Sequence, residues 1–262
     1  MTQSDIASLW IGDRLGDIEL ASIASFLRQG HDFTLYSYGP VANVPEGVRL
    51  EDARQILPGD QILRYWRNGN PALHADVFRY AMIARTGAIW VDLDVIALRP
   101  FRFPGPWVFG YEDAEQVNNA VLGLPADSPM LARLLEMRPD TRGVPPHLTG
   151  ARRLKYRLRG WLTGGVPISR WPWASTGPRA VTLFARQSGE IRHALPPTAF
   201  YAIPHHAARS LLVPGGLSAG MLPEDAYGVH LWGGELRRIL TDEFDGRVPA
   251  TSFLGQQLAM AR

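Results

Sequence analysis

The run Gly87-Ala88-Ile89-Trp90-Val91-Asp92-Leu93-Asp94-Val95-Ile96 places two aspartates, one residue apart, within an otherwise apolar segment. An extended chain alternates its side chains between two faces, so Trp90, Asp92 and Asp94 point one way while Ile89, Val91, Leu93 and Val95 point the other. At the rise of a strand the α-carbons of Asp92 and Asp94 lie about 6–7 Å apart, a distance that a cation or a water spans. A carboxylate pair where a hydrophobic strand leaves the core costs desolvation and mutual repulsion, and a hard divalent cation offsets both. General acid–base work and plain capping of the strand end are the other two uses open to the pair.

The surroundings of this strand set the fold class. Ile6 to Ile11 reads as a first strand that stops at Gly12-Asp13, and Asp17 to Gln29 carries Leu20, Ile23, Ala24 and Leu27 at helical spacing before Gly30. Asp32 to Tyr38 reads as a second strand closed by Gly39-Pro40. Strand, helix, strand at this spacing opens an α/β domain with a parallel sheet. Asn43 to Gln61, broken by prolines and glycines, reads as a connector with one short element. Pro71 to Arg85 is helical again, with Leu73, Val77, Tyr80, Ala81 and Ala84 on one stripe, and Asp76 and Arg79 are spaced to face a common neighbour.

Trp107 to Tyr111 and Asn118 to Leu122 read as short strands. Ser128-Pro129 and Thr176-Gly177-Pro178 each open a helix, the second running to Gly189. Phe200 to Ile203 and Tyr227 to Trp232 read as short strands or extended loops, and Pro214 to Pro223 as loop. No repeat and no clean linker interrupts the chain, so residues 1–262 are expected to form one domain with an irregular carboxyl-terminal half.

Of the 262 residues, 46% are hydrophobic and 20% charged, which excludes a largely disordered protein, and the formal charge of +2 points to no particular partner. The lack of cysteine excludes disulfides, thiolate catalysis and cysteine-based zinc sites. Met1 to Leu9 shows no secretory leader and no later run spans a bilayer, so a cytoplasmic location is expected. Arg152, Arg153, Lys155, Arg157 and Arg159 interleave with Leu154, Tyr156 and Leu158 ahead of Trp161. This marks 151–161 as a basic insert that faces an acceptor or an anionic membrane surface, or as a solvated basic face. No nucleic-acid-binding module accompanies it, and nucleic acid is not an expected partner.

The helix bearing His74-Ala75-Asp76-Val77-Phe78-Arg79-Tyr80, followed by Thr86-Gly87-Ala88-Ile89-Trp90-Val91-Asp92-Leu93-Asp94, resembles the DXD-containing glycosyltransferases. The likeness is to those related to yeast initiating mannosyltransferases, α-1,4-galactosyltransferases and bacterial capsular or lipopolysaccharide sugar transferases. Gly87-Ala88 stands where that family usually has two glycines, and Trp90 where it usually has tyrosine. Ser8-Leu9-Trp10-Ile11-Gly12, Gly30-His31-Asp32-Phe33, Asn118-Asn119-Ala120-Val121, Ser175-Thr176-Gly177-Pro178 and His230-Leu231-Trp232 resemble further family segments in the same order.

The resemblance implies a GT-A-like nucleotide-binding mixed sheet flanked by helices, in which Mn²⁺ or Mg²⁺ sits on the diphosphate of a nucleotide-sugar, typically a UDP-sugar. It implies a retaining transfer to a glycan or lipid-linked sugar acceptor, and the basic segment 151–161 would bring the chain to such an acceptor at the inner face of a membrane. Asp94 then coordinates the metal, and Asp92 reaches the ribose or the metal indirectly. Asp76 and Arg79 line the donor site, or alternatively form a structural ion-pair network. Trp10 stacks on the base or is a core tryptophan, and His230 is a late metal ligand or diphosphate contact, or a satisfied core histidine. Asn118 and Asn119 contact sugar hydroxyls or shape a turn. No carboxylate nucleophile is identified among Glu112, Asp113, Glu224 and Asp225.

Two other classes use the same residues. A metal-dependent phosphohydrolase or nucleotidyltransferase would employ the aspartate pair, but Ile11-Gly12-Asp13-Arg14 is poor in the glycines of a phosphate-cradling loop. A non-catalytic glycan-binding protein on the same scaffold is the third.

Overall fold

The computed structural model describes residues 5–59, 61–161 and 163–261. Strands and helices alternate through β1 (Ile6–Trp10), α1 (Asp17–Arg28), β2 (Phe33–Ser37), β3 (Val48–Asp52), α2 (Ala72–Thr86) and β4 (Ile89–Val91). There follow β5 (Val95–Ala97), β6 (Val108–Tyr111), β7 (Val117–Gly123), α3 (Pro129–Leu134), β8 (Arg142–Gly143), α4 (Gly150–Trp161), β9 (Val166–Pro167) and α5 (Pro178–Ser188). A stretch of short 3-10 turns leads to β10 (Gly228–His230), α6 (Gly233–Glu243) and α7 (Phe253–Ala259).

Six strands form one mixed sheet in the order β3-β2-β1-β4-β7-β6. β3, β2, β1 and β4 run parallel, while β7 and β6 are antiparallel. The alternation expected of the organising strand holds within β4. Trp90 packs with Phe78 and Tyr80 of α2 on one face, and Ile89 and Val91 pack with Phe26 of α1 and with Phe101 on the other. Both faces of β4 are therefore covered, as a central parallel strand requires. A third cluster joins Ile18 and Ala21 of α1 to Leu236 of α6 and Phe253 of α7.

Topology decides where a ligand fits. From β1 the chain crosses through α1 to β2 on one side, and later through α2 to β4 on the other, so the order reverses between β1 and β4. Beyond the carboxyl ends of strands at such a reversal the connections diverge and leave a crevice. Trp10 ends β1 there, and Asp92 follows β4 there.

Three expectations need correction. The strand read across Gly87 to Ile96 is two strands. After Val91 the Asp92 amide still donates to Ala120 O at 2.7 Å, but Val95 N then turns back to Asp92 O at 3.2 Å. α1 captures the outgoing segment, with Ser22 Oγ donating to Val95 O at 2.7 Å and Ala97 N donating to Ser25 Oγ at 2.8 Å. Asp92 and Asp94 consequently share a turn, and it is the turn rather than strand alternation that brings them together. The one short element expected within the connector is a strand of the main sheet, β3, and not part of a linker; as a sheet edge with Arg49, Leu50 and Asp52 exposed it carries little hydrophobic signal. α6 and α7 lie past the last element read from the sequence, and α6 opens on two glycines that speak against a helix.

Candidate active site

The Asp92–Asp94 turn is completed from far along the chain. β10 pairs with β5 in the antiparallel register His230↔Val95, and Leu231 N donates to Asp94 O at 2.7 Å. Trp232 then takes a left-handed conformation (φ 57°) that turns the chain directly into α6. The Gly233 amide, at the start of that helix, donates to Asp94 Oδ2 at 2.7 Å. A Cβ on Gly233 would lie 3.0 Å from the same oxygen, so the amide reaches the carboxylate because the residue is glycine. The carboxylate thus sits on the positive end of α6.

Asp94 Oδ1 faces His230 Nε2 at 3.3 Å, an ion-pair contact without hydrogen-bond alignment. Asp94 Oδ1 and His230 Nδ1 are buried and lack hydrogen-bond partners among the described residues. Asp92 makes both of its contacts through Oδ1, accepting from Trp90 Nε1 at 2.7 Å and lying 3.2 Å from Arg79 Nη2, so neither occupies Oδ2. One ligand atom from each of Asp92, Asp94 and His230 lies within 4.8 Å of the other two. Two carboxylates and an imidazole suit Mn²⁺ and other divalent ions of intermediate hardness, and the orphaned Asp94 Oδ1 is an oxygen that such an ion would satisfy. By its donor set and its unmet valence the group fits a divalent cation.

Arg79 is the buried counter-charge. Its guanidinium lies 3.2 Å from Asp92 and 3.4 Å from Asp76, donates to the Asn119 carbonyl, and rests 4.7 Å above the Trp90 ring. Asp76 is engaged on both oxygens: Asn119 Nδ2 donates to Oδ1 at 2.9 Å and Thr176 Oγ1 to Oδ2 at 2.7 Å. Tyr80 Oη donates to Thr176 O at 2.6 Å, and Gly177 packs so closely that a Cβ would lie 3.0 Å from Asp76 Oδ2. The structural network, one of the two readings offered for Asp76 and Arg79, is the one their contacts describe. Asn118 Nδ2 donates to Glu112, and Asn118 Oδ1 accepts from Ala120 N, so its amide too is spoken for.

The titration of the group follows from burial and these neighbours. Burial, with Asp94 adding to it, lifts the Asp92 carboxyl to about 6 against the pull of Arg79. Burial opposes ionisation of Asp94 as well, but His230, the Gly233 amide and Arg237 outweigh it and bring that carboxyl to about 2. For His230 burial disfavours the charge, and the carboxylates of Asp94, Asp92 and Glu112 overcome it and raise the pKa. The aspartates titrate as a pair. Arg79 faces Asp76 and Asp92, and Asp94 lies under the influence of His230 and Arg237.

These groups lie where two lobes of a cleft meet. The smaller, about 270 Å³, is lined by Ser8, Trp10, Ile11 and Pro71; the larger, about 610 Å³, by Glu112, Asn118, Arg179, His205 and Trp232. Arg79, Asp92, Asp94 and Arg237 line both. Ser8 Oγ and Trp10 Nε1 are buried in the smaller lobe without hydrogen-bond partners among the described residues. Each of Trp10, Asp76, Arg79, Asp92, Asp94, Asn118, Asn119 and His230 lines one lobe or the other. Sequence reasoning missed Arg237, which pairs with Glu19 of α1 across the cleft floor, together with Arg179, His205 and the start of α6. The Gly233-Gly234 step after His230-Leu231-Trp232 was the available signal for the last of these.

No family model and no curated protein matches the sequence. Among solved structures the chain is similar to one titled "PaToxG Glycosyltransferase", with a TM-score of 0.47 and 14% identity over 72% of this chain and 70% of that one. A likeness at that level leaves the chemistry to be argued from the site.

Proposed function

We propose that this chain transfers a sugar from a nucleotide-diphosphate donor, typically a UDP-sugar, to a glycan or lipid-linked acceptor, with Mn²⁺ or Mg²⁺ held by Asp92, Asp94 and His230. The observation that carries the proposal is the convergence of one ligand atom from each of these three residues at the junction of a two-lobed cleft, where Asp94 Oδ1 is buried without a hydrogen-bond partner. A bound divalent ion supplies positive charge for the departing diphosphate. The flat Trp10 ring and the unpaired Ser8 hydroxyl and Trp10 N–H offer a stacking face and hydrogen bonds to a nucleoside in the smaller lobe. Arg237, at the junction and beside the amino end of α6, places further positive charge where the phosphates would lie. The larger lobe then takes the sugar and the incoming hydroxyl.

The transfer breaks the bond from the anomeric carbon to the phosphate oxygen and forms one to the acceptor oxygen, whose proton passes to the departing phosphate. We assign it a retaining, front-side course without a covalent intermediate. Glu112, in the larger lobe, accepts from Asn118 Nδ2 and Gln116 Nε2, which leaves it a poor nucleophile.

Turnover of a nucleotide-sugar panel with added Mn²⁺, with and without chelator, tests the reading. Folded protein that neither binds nor turns over any donor sinks it, and release of inorganic phosphate would favour a phosphohydrolase instead. Asp94→Asn is the informative variant, because an amide oxygen still accepts from Gly233 N while the charge is lost; activity should fall about a hundredfold or more. Asp94→Ala also uncaps α6 and should cost about 1 kcal/mol of stability besides.

The proposal extends to domain organisation and location: residues 1–262 act as one transferase unit, and α4 is its membrane-facing insert. α4 presents Leu154, Leu158 and Trp161 at 57%, 63% and 82% exposure, in line along one side. Lys155 and Arg157 flank that stripe, and no acidic residue occurs in the helix. Tyr156 and Gly160 turn the opposite side toward the protein. An apolar stripe flanked by cations matches an anionic bilayer surface, as at the inner face of a membrane. Among the described residues no helix is long and apolar enough to cross one.

A further inference from the structure

A second concavity, about 310 Å³, lies beside the larger lobe between α4 and two aromatic segments, 65–68 and 169–173. Trp66, Trp173 and Tyr156 supply its aromatic surface, Arg67, Arg159 and Arg170 its charge, and among the described residues no acidic one lines it. Tyr65 and Trp173 line both this groove and the larger lobe, so the two are continuous.

The groove is built rather than incidental. Trp66 N donates to Ser169 O at 2.9 Å, which pins the two segments together, and Tyr65 N donates to Asn70 O at 3.0 Å, which closes the turn of the first. The Arg170 guanidinium lies 5.2 Å from the Trp66 ring, and the Tyr65 and Trp173 rings lie 5.0 Å apart. Tyr65 Oη shares a 3.1 Å hydrogen bond with Thr176 Oγ1, which in turn donates to Asp76, so the groove wall is tied to the ion-pair network under the cleft. Yet Trp66 and Trp173 are 69% and 53% exposed. Two indoles, each held by a neighbour and still more than half exposed, are surfaces that a ligand covers.

We infer that this groove is the acceptor subsite, and that it takes an acidic saccharide, one bearing carboxylate, sulfate or phosphate groups. The inference rests on the transferase reading for the word acceptor, while the binding chemistry stands by itself. Flat aromatic faces suit the C–H faces of pyranose rings, and arginine forks suit planar or tetrahedral anions. The continuity with the larger lobe favours a saccharide whose terminal hydroxyl enters the cleft, over a nucleic acid lying across it.

The test is titration of the intact protein, without nucleotide, by hexagalacturonate, a sulfated heparin hexasaccharide, maltohexaose and a single-stranded oligonucleotide, read by tryptophan fluorescence and calorimetry. At least one acidic hexasaccharide should bind about tenfold or more tighter than maltohexaose, and Trp66→Ala and Arg170→Ala should each weaken it about tenfold. Both side chains are at the surface, and circular dichroism of the variants checks the fold. Absence of binding by both acidic saccharides at millimolar concentration overturns the inference, as does equal binding of maltohexaose, tighter binding of the oligonucleotide, or binding indifferent to both substitutions. Binding of the nucleotide-sugar panel with Mn²⁺ is measured separately. Its absence, with acidic saccharide still bound in the groove, refutes the transferase reading and leaves the saccharide site supported; its presence with no saccharide bound refutes the subsite alone.

Discussion

Asp92→Asn separates what the cleft needs for chemistry from what the fold needs for stability. Both contacts of the wild-type side chain, to Trp90 Nε1 at 2.7 Å and to Arg79 Nη2 at 3.2 Å, fall on Oδ1, which an asparagine carbonyl reproduces. What changes is the charge. Burial lifts this carboxyl from 3.8 to about 6 in the folded chain, so between those values the folded state binds the proton more tightly than the unfolded state does. Stability therefore falls as pH rises through that window, and the penalty is fully present above it. For a wholly shielded group such a difference is worth about 3 kcal/mol. The side chain is 31% exposed, and solvent screening reduces the figure. About 1–2 kcal/mol remains.

In a chain of this length that is about 2–8 °C of melting temperature. Thermal unfolding in chelator should show the variant melting higher than wild type at pH 7.5, with the gap shrinking toward pH 4. Saturating Mn²⁺ should then stabilise wild type by about 2–3 kcal/mol and the variant far less, narrowing or reversing the order. A variant that melts lower at pH 7.5 in chelator, or a gap that does not change with pH, refutes the reasoning.

Other consequences can be measured directly. Because neighbouring carboxylates hold His230 protonated above its ordinary range and a metal ligand must be neutral, Mn²⁺ affinity should climb from pH 6 to pH 8 with proton release, and His230→Gln should flatten the climb; calorimetry in buffers of different ionisation enthalpy reads it. Gly177→Ala drives a methyl against the Asp76 carboxylate and should cost about 1–3 kcal/mol in chemical denaturation, an effect that Gly39→Ala, with open space at its Cβ, should not show. Co-sedimentation with vesicles containing phosphatidylglycerol should be lost in 0.5 M salt and in a Leu158→Glu/Trp161→Glu variant, and equal binding to neutral phosphatidylcholine vesicles would count against the cationic helix as its cause.

Local patterning made much of this chain legible. Short-range rules suffice where neighbouring residues carry the signal: the existence of α2, though Ala84 of its expected stripe is exposed while Phe78, Met82 and Ile83 are buried, the apolar alternation in β4, and the Ser128 cap of α3, whose hydroxyl accepts from Leu131 N. The same rules pass over β3, whose exposed edge needs no hydrophobic run, and α6, whose opening glycines look like a break. The eight residues singled out beforehand all line the cleft, because functional groups at strand ends and helix faces stand out against apolar neighbours.

How those groups work together was a matter for the folded chain. Asp92 and Asp94 are adjacent through a turn that exists because α1 seizes β5 by two serines, a contact no local pattern announces. His230 reaches Asp94 only because β10 pairs with β5, and the Gly233 amide reaches it only because Trp232 adopts a left-handed turn. Residues distant in sequence meet through pairings that the burial of whole elements selects. For this reason the candidate side chains could be picked out from the chain, while their geometry, their proton affinities and the groove beside them had to come from tertiary structure.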